Sequence, residues 1–176
     1  YQADLVDRVR AEFARGAGSV VMQLPTGGGK TATASAIITR AVGAGLRCLF
    51  LAHLDSLVGD THARLEAAGV GAGFVQAGRP VAPDAPVQVA SLATLWARGA
   101  RPPADFVVLD ECHRAMGPTV RQILDAYPSA GLLGLTATPQ RGDGQPLGDV
   151  FRALVCGPSV RELQAAGALV PVHVCG

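Results

Sequence analysis

Lysine is almost missing from this chain: 14 of its 15 basic residues are arginine, and the single lysine, Lys30, stands directly after three glycines. A general bias against lysine that spares one residue in a glycine loop is hard to read as accident. Long apolar runs are missing too. No stretch approaches the roughly 18 to 20 apolar residues a bilayer-crossing helix needs, and the N-terminal segment YQADLVDRVRAEF is too polar for a secretory h-region. The sequence therefore predicts no membrane partner and a soluble, cytoplasmic setting. Its four cysteines, Cys48, Cys112, Cys156 and Cys175, form no CxxC pair, which argues against a zinc ribbon or a disulfide framework and for reduced thiols buried as small apolar residues. Aromatic residues make up only 5%. That leaves little for stacking on bases, and Trp96 reads as core. A net charge of +1 says little about partners, because a nucleic-acid binder can carry a local basic strip on a nearly neutral whole.

What is present is apolar surface. With 49% hydrophobic residues in 176, the chain has enough to bury one full core, and it reads as one domain spanning residues 1–176. Leu5, Val9 and Phe13 at four-residue spacing predict an amphipathic helix from Tyr1 to about Gly16. The period then changes. SVVMQL (Ser19 to Leu24) is a short β-branched run bounded by glycine and proline, hence a buried strand, and helical spacing resumes from Lys30 to about Val42. The alternation repeats with LRCLFLAH as strand, Asp55 to Ala68 as helix, a weaker strand near Phe74 and an exposed Pro/Gly-rich loop from Ala77 to Pro86. Val87 to Ala90 follows as strand, Ser91 to Ala97 as helix, Phe106 to Asp110 as strand, a mostly helical stretch up to Ala126, and Leu132 to Ala137 as strand. Strands nearly continuous in apolar character, each followed by a helix, imply a mainly parallel sheet covered on both faces. The predicted fold class is three-layer α/β, in which ligands gather at the carboxyl edge of the sheet.

Three motifs lie at such strand-to-helix junctions. In Leu24-Pro25-Thr26-Gly27-Gly28-Gly29-Lys30-Thr31, glycines let successive N–H groups turn toward one anion, and the helix N-terminus adds roughly half an elementary charge. Lys30 supplies a mobile charge for the β and γ phosphates, and the Thr31 hydroxyl is placed to ligate magnesium. The pattern G-x-x-x-x-G-K-[ST] finds Leu24 where its first glycine belongs, so the match is to a variant. The alternative is a glycine-rich turn without a ligand. Asp110 and Glu111 end an apolar strand 80 residues beyond Lys30. Two adjacent carboxylates are costly to bury without a cation. In nucleotide hydrolysis the first would hold the metal and the second orient the attacking water; alternatively the pair only caps the next helix.

LPTGGGKT, then DECH (Asp110 to His113), then LTATP (Leu135 to Pro139), in that order and at these separations, resemble motifs I, II and III of superfamily two DNA and RNA helicases and translocases. DECHRA and GLTATPQRGDG are similar to the branch that includes the restriction-enzyme translocating subunits and the XPB-like DNA helicases. The resemblance implies a RecA-like P-loop NTPase fold, with Thr26, Gly27, Gly28, Gly29, Lys30 and Thr31 on the phosphates of ATP. It makes Thr31 and Asp110 the Mg2+ ligands, Glu111 the catalytic carboxylate, and Gln2 the reader of adenine, a residue that is otherwise ordinary helix-start surface. His113, Thr136 and Thr138 would relay nucleotide state to the nucleic-acid side; on their own they read equally as a satisfied histidine and turn-forming threonines.

LAHLDSL (Leu51 to Leu57) and ASLATL (Ala90 to Leu95) resemble motifs Ia and Ib, which touch one strand's sugar-phosphate backbone. His53, Ser91 and Thr94 are the donors this implies. Many relatives carry an arginine where this chain has Leu54; Arg98 and Arg101 near motif Ib read as phosphate contacts or as solvated surface. The implied partners are nucleic acid, DNA in preference to RNA, and a second RecA-like domain of the same parent chain carrying the arginines that stabilise the transferring phosphoryl. The chain starts without methionine and ends near PVHV, so the expectation is half of a motor, with little turnover alone. Two other readings stand: a P-loop NTPase unrelated to nucleic acid, against which DECH and TATP count, and a nucleotide-binding or regulatory module without helicase activity.

Overall fold

Strand and helix alternate along the chain in the computed structural model, which describes residues 1–53, 55–79, 82–114, 117–138 and 147–170. The order is α1 (Gln2–Ala14), β1 (Ser19–Gln23), α2 (Lys30–Gly43), β2 (Cys48–Ala52), α3 (Asp55–Ala67), β3 (Ala72–Val75), β4 (Val87–Ser91) and α4 (Leu92–Arg98). Then come β5 (Phe106–Leu109), α5 (Pro118–Leu124), β6 (Gly131–Thr136), a 3-10 turn at Leu147–Asp149, β7 (Ala153–Cys156) and α6 (Val160–Ala165). The strands form one seven-stranded sheet in the order β3-β4-β2-β5-β6-β1-β7, and every pairing is parallel.

The strands carry no polar alternation because both faces are covered. Side chains of one strand point alternately to opposite faces. Phe50 and Cys48 of β2 join α1, α2 and α3 on one side through Leu5, Val9, Ile38 and Val58. Leu49 and Leu51 join α4 and α5 on the other through Leu95 and Ile123. This is the predicted three-layer α/β architecture.

The structure departs from the sequence reading in four places. The stretch up to Ala126 holds only a turn at 110–114 and the short α5, because Gly117 and Pro118 restart the helix, with proline at its first position; Ala115 and Met116 lie outside the described residues. β7 and α6 were not anticipated. Trp96 is 43% exposed, since Leu92 and Leu95 take the inward positions of α4 and leave the indole on the helix flank. Cys48 and Cys112 are buried as expected, but Cys156 is exposed at the end of edge strand β7. Leu54, the string from Pro139 to Gly144, PVHV and Cys175 lie outside the described residues.

Candidate nucleotide site at the carboxyl edge

Every parallel strand ends at the same edge, so the turns after β1, β5 and β6 are brought together. β6 lies between β5 and β1 and ties both turns: the Leu24 N–H donates to the Thr136 carbonyl at 3.0 Å and the Cys112 N–H to the Leu135 carbonyl at 2.9 Å. The Asp110 N–H continues the β5 ladder to Leu51 at 2.9 Å.

After β1 the chain reverses through glycine. Gly27 and Gly29 have φ of 78° and 79°, the left-handed region that glycine enters without steric cost. The Gly28 N–H closes a turn on the Pro25 carbonyl at 2.9 Å, and Gly29 is the N-cap of α2. The first N–H groups of α2 therefore have no carbonyl four residues back and open toward the sheet edge. Gln2 contacts the loop at Gly29, and the Tyr1 hydroxyl donates to the Gly28 carbonyl at 3.3 Å. Lys30 lies inside this turn with its side chain 10% exposed, and Nζ is 3.4 Å from the Leu24 carbonyl and 3.8 Å from Glu111 Oε1. The lysine after β1 and the acid after β5 thus meet across the width of β6.

Asp110 is buried and its Oδ1 accepts the Glu111 N–H at 3.0 Å. Burial, and then the neighbouring Glu111 charge, push its carboxyl above the usual 3.8; the backbone N–H and Lys30 offset only part of this. Glu111 is the one non-glycine residue among those described with a left-handed backbone, φ 47°. That conformation costs an L residue about 1 kcal/mol, and it turns the carboxylate toward Lys30.

Beside Glu111 a set of polar contacts leads on to β6. His113 Nδ1 lies 3.3 Å from Glu111 Oε2 and 2.9 Å from Thr136 Oγ1. The Thr136 hydroxyl spends its proton on the Thr138 carbonyl while accepting the Thr138 N–H at 3.1 Å. With its proton so directed, that oxygen accepts from the imidazole in a tautomer protonated at Nδ1, and the Glu111 carboxylate lies alongside the same nitrogen. Burial first, then Arg114 and Lys30, hold His113 below its usual 6.5 against the opposing pull of Glu111.

Lys30, Asp110, Glu111, His113, Thr136 and Thr138 are thus brought together, with Gln2 and the glycine loop beside them. Thr26 is exposed at the loop's tip and Thr31 lies in the first turn of α2. His53 is exposed just after β2. Ser91 is buried, and its Oγ accepts the Thr94 N–H at 3.5 Å as the N-cap of α4. Sequence reasoning missed the apolar wall of the loop, formed by Leu163 and Leu169; leucines carry no chemical signature that could have announced it.

The donor set fits magnesium. Among the described residues no three His, Cys, Asp or Glu side chains gather into a cage, whereas Mg2+ is usually bound by one or two protein oxygens together with phosphates. Asp110 and Thr31 are hard oxygen donors of that kind.

A parallel sheet in this order, with glycine loop and acid pair at its carboxyl edge, is the architecture of a RecA-like domain of the kind found in helicases. The UvsW helicase of bacteriophage T4 shares the fold: two structures align at TM-scores of 0.67 and 0.68, with 16% and 17% identity, covering 78% and 89% of this chain and 54% and 33% of theirs. The family described as type III restriction enzyme, res subunit, matches residues 1–141, and the chain belongs to that family. It is also similar to an Escherichia coli protein, the type I restriction enzyme EcoAI endonuclease subunit, with 30% identity over an aligned length of 189 that covers 99% of this chain. The chain spans 23% of that relative's length. Among the described residues no helix is long and apolar enough to cross a membrane.

Proposed function

We propose that this chain is the ATP-binding half of an ATP-dependent DNA translocase or helicase motor of the restriction-system kind. The observation that carries the proposal is the meeting of Lys30 with Glu111 beside buried Asp110, at the mouth of a glycine loop that opens a helix. The loop's N–H groups and Lys30 bind the β and γ phosphates. Thr31 and Asp110 would hold Mg2+, which when bound supplies neutralisation of phosphate charge. Gln2, which lies against the loop at Gly29, would read the adenine edge. Glu111 orients the attacking water and accepts its proton, and Lys30 and His113 hold the carboxylate in place. Through His113, Thr136 and Thr138 the state of Glu111 reaches the turn after β6.

His53 and Thr94 lie at the ends of β2 and β4 on the same edge, where polar groups would contact a sugar-phosphate backbone without reading sequence, whereas Ser91, buried and holding the first turn of α4, has no surface to offer such a contact. The restriction-enzyme names of the relatives favour DNA over RNA. In a motor of this kind a second RecA-like half supplies arginines to the transferring phosphoryl, worth roughly a thousandfold or more in rate, so these 176 residues bind nucleotide and turn it over slowly. The test is calorimetric titration with MgADP and MgATP. Lys30→Ala should lower affinity by roughly a hundredfold, as expected for loss of charged hydrogen bonds to phosphate, with an unchanged circular dichroism spectrum. Unaltered affinity in that variant would remove the assignment.

A further inference from the structure

We propose that Leu169 is a positioning residue for the phosphate loop: its side chain braces Gly27 so that the loop holds its anion-binding shape before nucleotide arrives. The inference rests on the nucleotide reading above and extends it to a residue outside every motif.

Three consecutive glycines give the loop wide backbone freedom and no side chains to pack. Within the loop the Gly28 bond to Pro25 and the Leu24 side chain against Gly28 steady it, and further contacts come from elsewhere in the chain. On one side stand Tyr1 and Gln2. On the other, a Cβ placed on Gly27 would lie 2.9 Å from Leu169 Cδ2, and one placed on Gly28 would lie 3.1 Å from Leu163 Cδ1. The two leucines therefore lie directly against the glycine backbone.

Their mounting is stiff. The Gly157 N–H donates to the Gln23 carbonyl at 2.8 Å, fixing the segment's start to β1. Ser159 and Glu162 form a reciprocal capping box at the start of α6. At its end Gly167 takes a φ of 70°, and the N–H groups of Ala168 and Leu169 both return to the Leu163 carbonyl, at 2.8 and 3.2 Å. That closure turns Leu169 back beside Leu163. Leu163 is 1% exposed and belongs to the packed interior, whereas Leu169 is half-buried at the loop and can be shortened with less damage to the fold. A loop already ordered loses less entropy on binding, so the brace acts on affinity.

The experiment compares the wild-type protein with Leu169→Ala and Leu169→Met by calorimetric titration with MgADP and by amide hydrogen exchange in the ligand-free state. Leu169→Ala should weaken MgADP about tenfold and speed exchange at residues 26–31 while leaving strands β2 and β5 protected; Leu169→Met should restore both. Should the alanine variant fail to fold, Leu169→Val takes its place with the same expected direction. Wild-type affinity and loop exchange in the shortened variant, or faster exchange spread evenly through the sheet, overturns the brace alone. A wild-type protein that does not bind MgADP overturns the nucleotide reading itself.

Discussion

Asp110 carries the clearest tension at the residue scale: it is buried, and next to a second acid, with a lysine that reaches the neighbour and not itself. Asp110→Asn keeps an acceptor for the Glu111 N–H and removes the buried charge. The variant should melt at a higher temperature than wild type in the absence of nucleotide, while losing the magnesium dependence of nucleotide affinity; a lower melting temperature would count against the burial argument. Glu111→Asn should relieve part of the left-handed strain, a gain of up to about 1 kcal/mol in urea unfolding, with hydrolysis abolished. The pH dependence has two opposing parts. His113 is held below 6.5, so the unfolded chain binds its proton more readily, and stability present above that value is lost as pH falls through the window beneath it. Asp110 is held above 3.8, so the folded chain keeps its proton longer, and its contribution grows as pH falls toward that value. His113→Gln should flatten the decline in melting temperature just below pH 6.5, and an unchanged slope would show that the ring is not its source.

At the scale of elements, β6 joins the two halves of the site, and its fit depends on Gly134. A Cβ there would lie 2.6 Å from Phe151 Cζ and 2.9 Å from Cys112 Sγ, both buried. Gly134→Ala should cost about 1–3 kcal/mol by overpacking, and pairing it with Phe151→Leu should recover part of that in a double-mutant cycle read by denaturant unfolding. Most strands were legible because both-face burial leaves short continuous apolar runs between turn residues, as in Cys48–Ala52 and Phe106–Leu109. α6 escaped because six residues are too few for a helical period to show, and β7, no shorter than β5, escaped as an edge strand with a single buried residue, Val155. One local signal was available, Ser159 followed three residues later by Glu162, which the structure shows as a capping box. The glycine loop and the acid pair were legible because their chemistry is local. The left-handed turn at Glu111 and the leucine wall behind the loop were not, since both depend on contacts between segments far apart in sequence.

For the whole molecule, the shared edge of the sheet places the candidate nucleotide site and the ends of β2 and β4 on one rim, and the proposed DNA contacts are to backbone. Binding to DNA should therefore fall steeply with salt and differ little between sequences of equal length, which fluorescence anisotropy over a salt series would measure. A strong sequence preference at constant salt would exclude a backbone-only interface. The sheet's apolar faces give the fold its stability, yet the sole tryptophan, Trp96, takes no deep place in them. An optical consequence follows for anyone who melts this protein. Indole emission already samples water in the native state, so its spectral shift on denaturation should be small, and far-ultraviolet ellipticity will record the loss of the sheet more faithfully than intrinsic fluorescence.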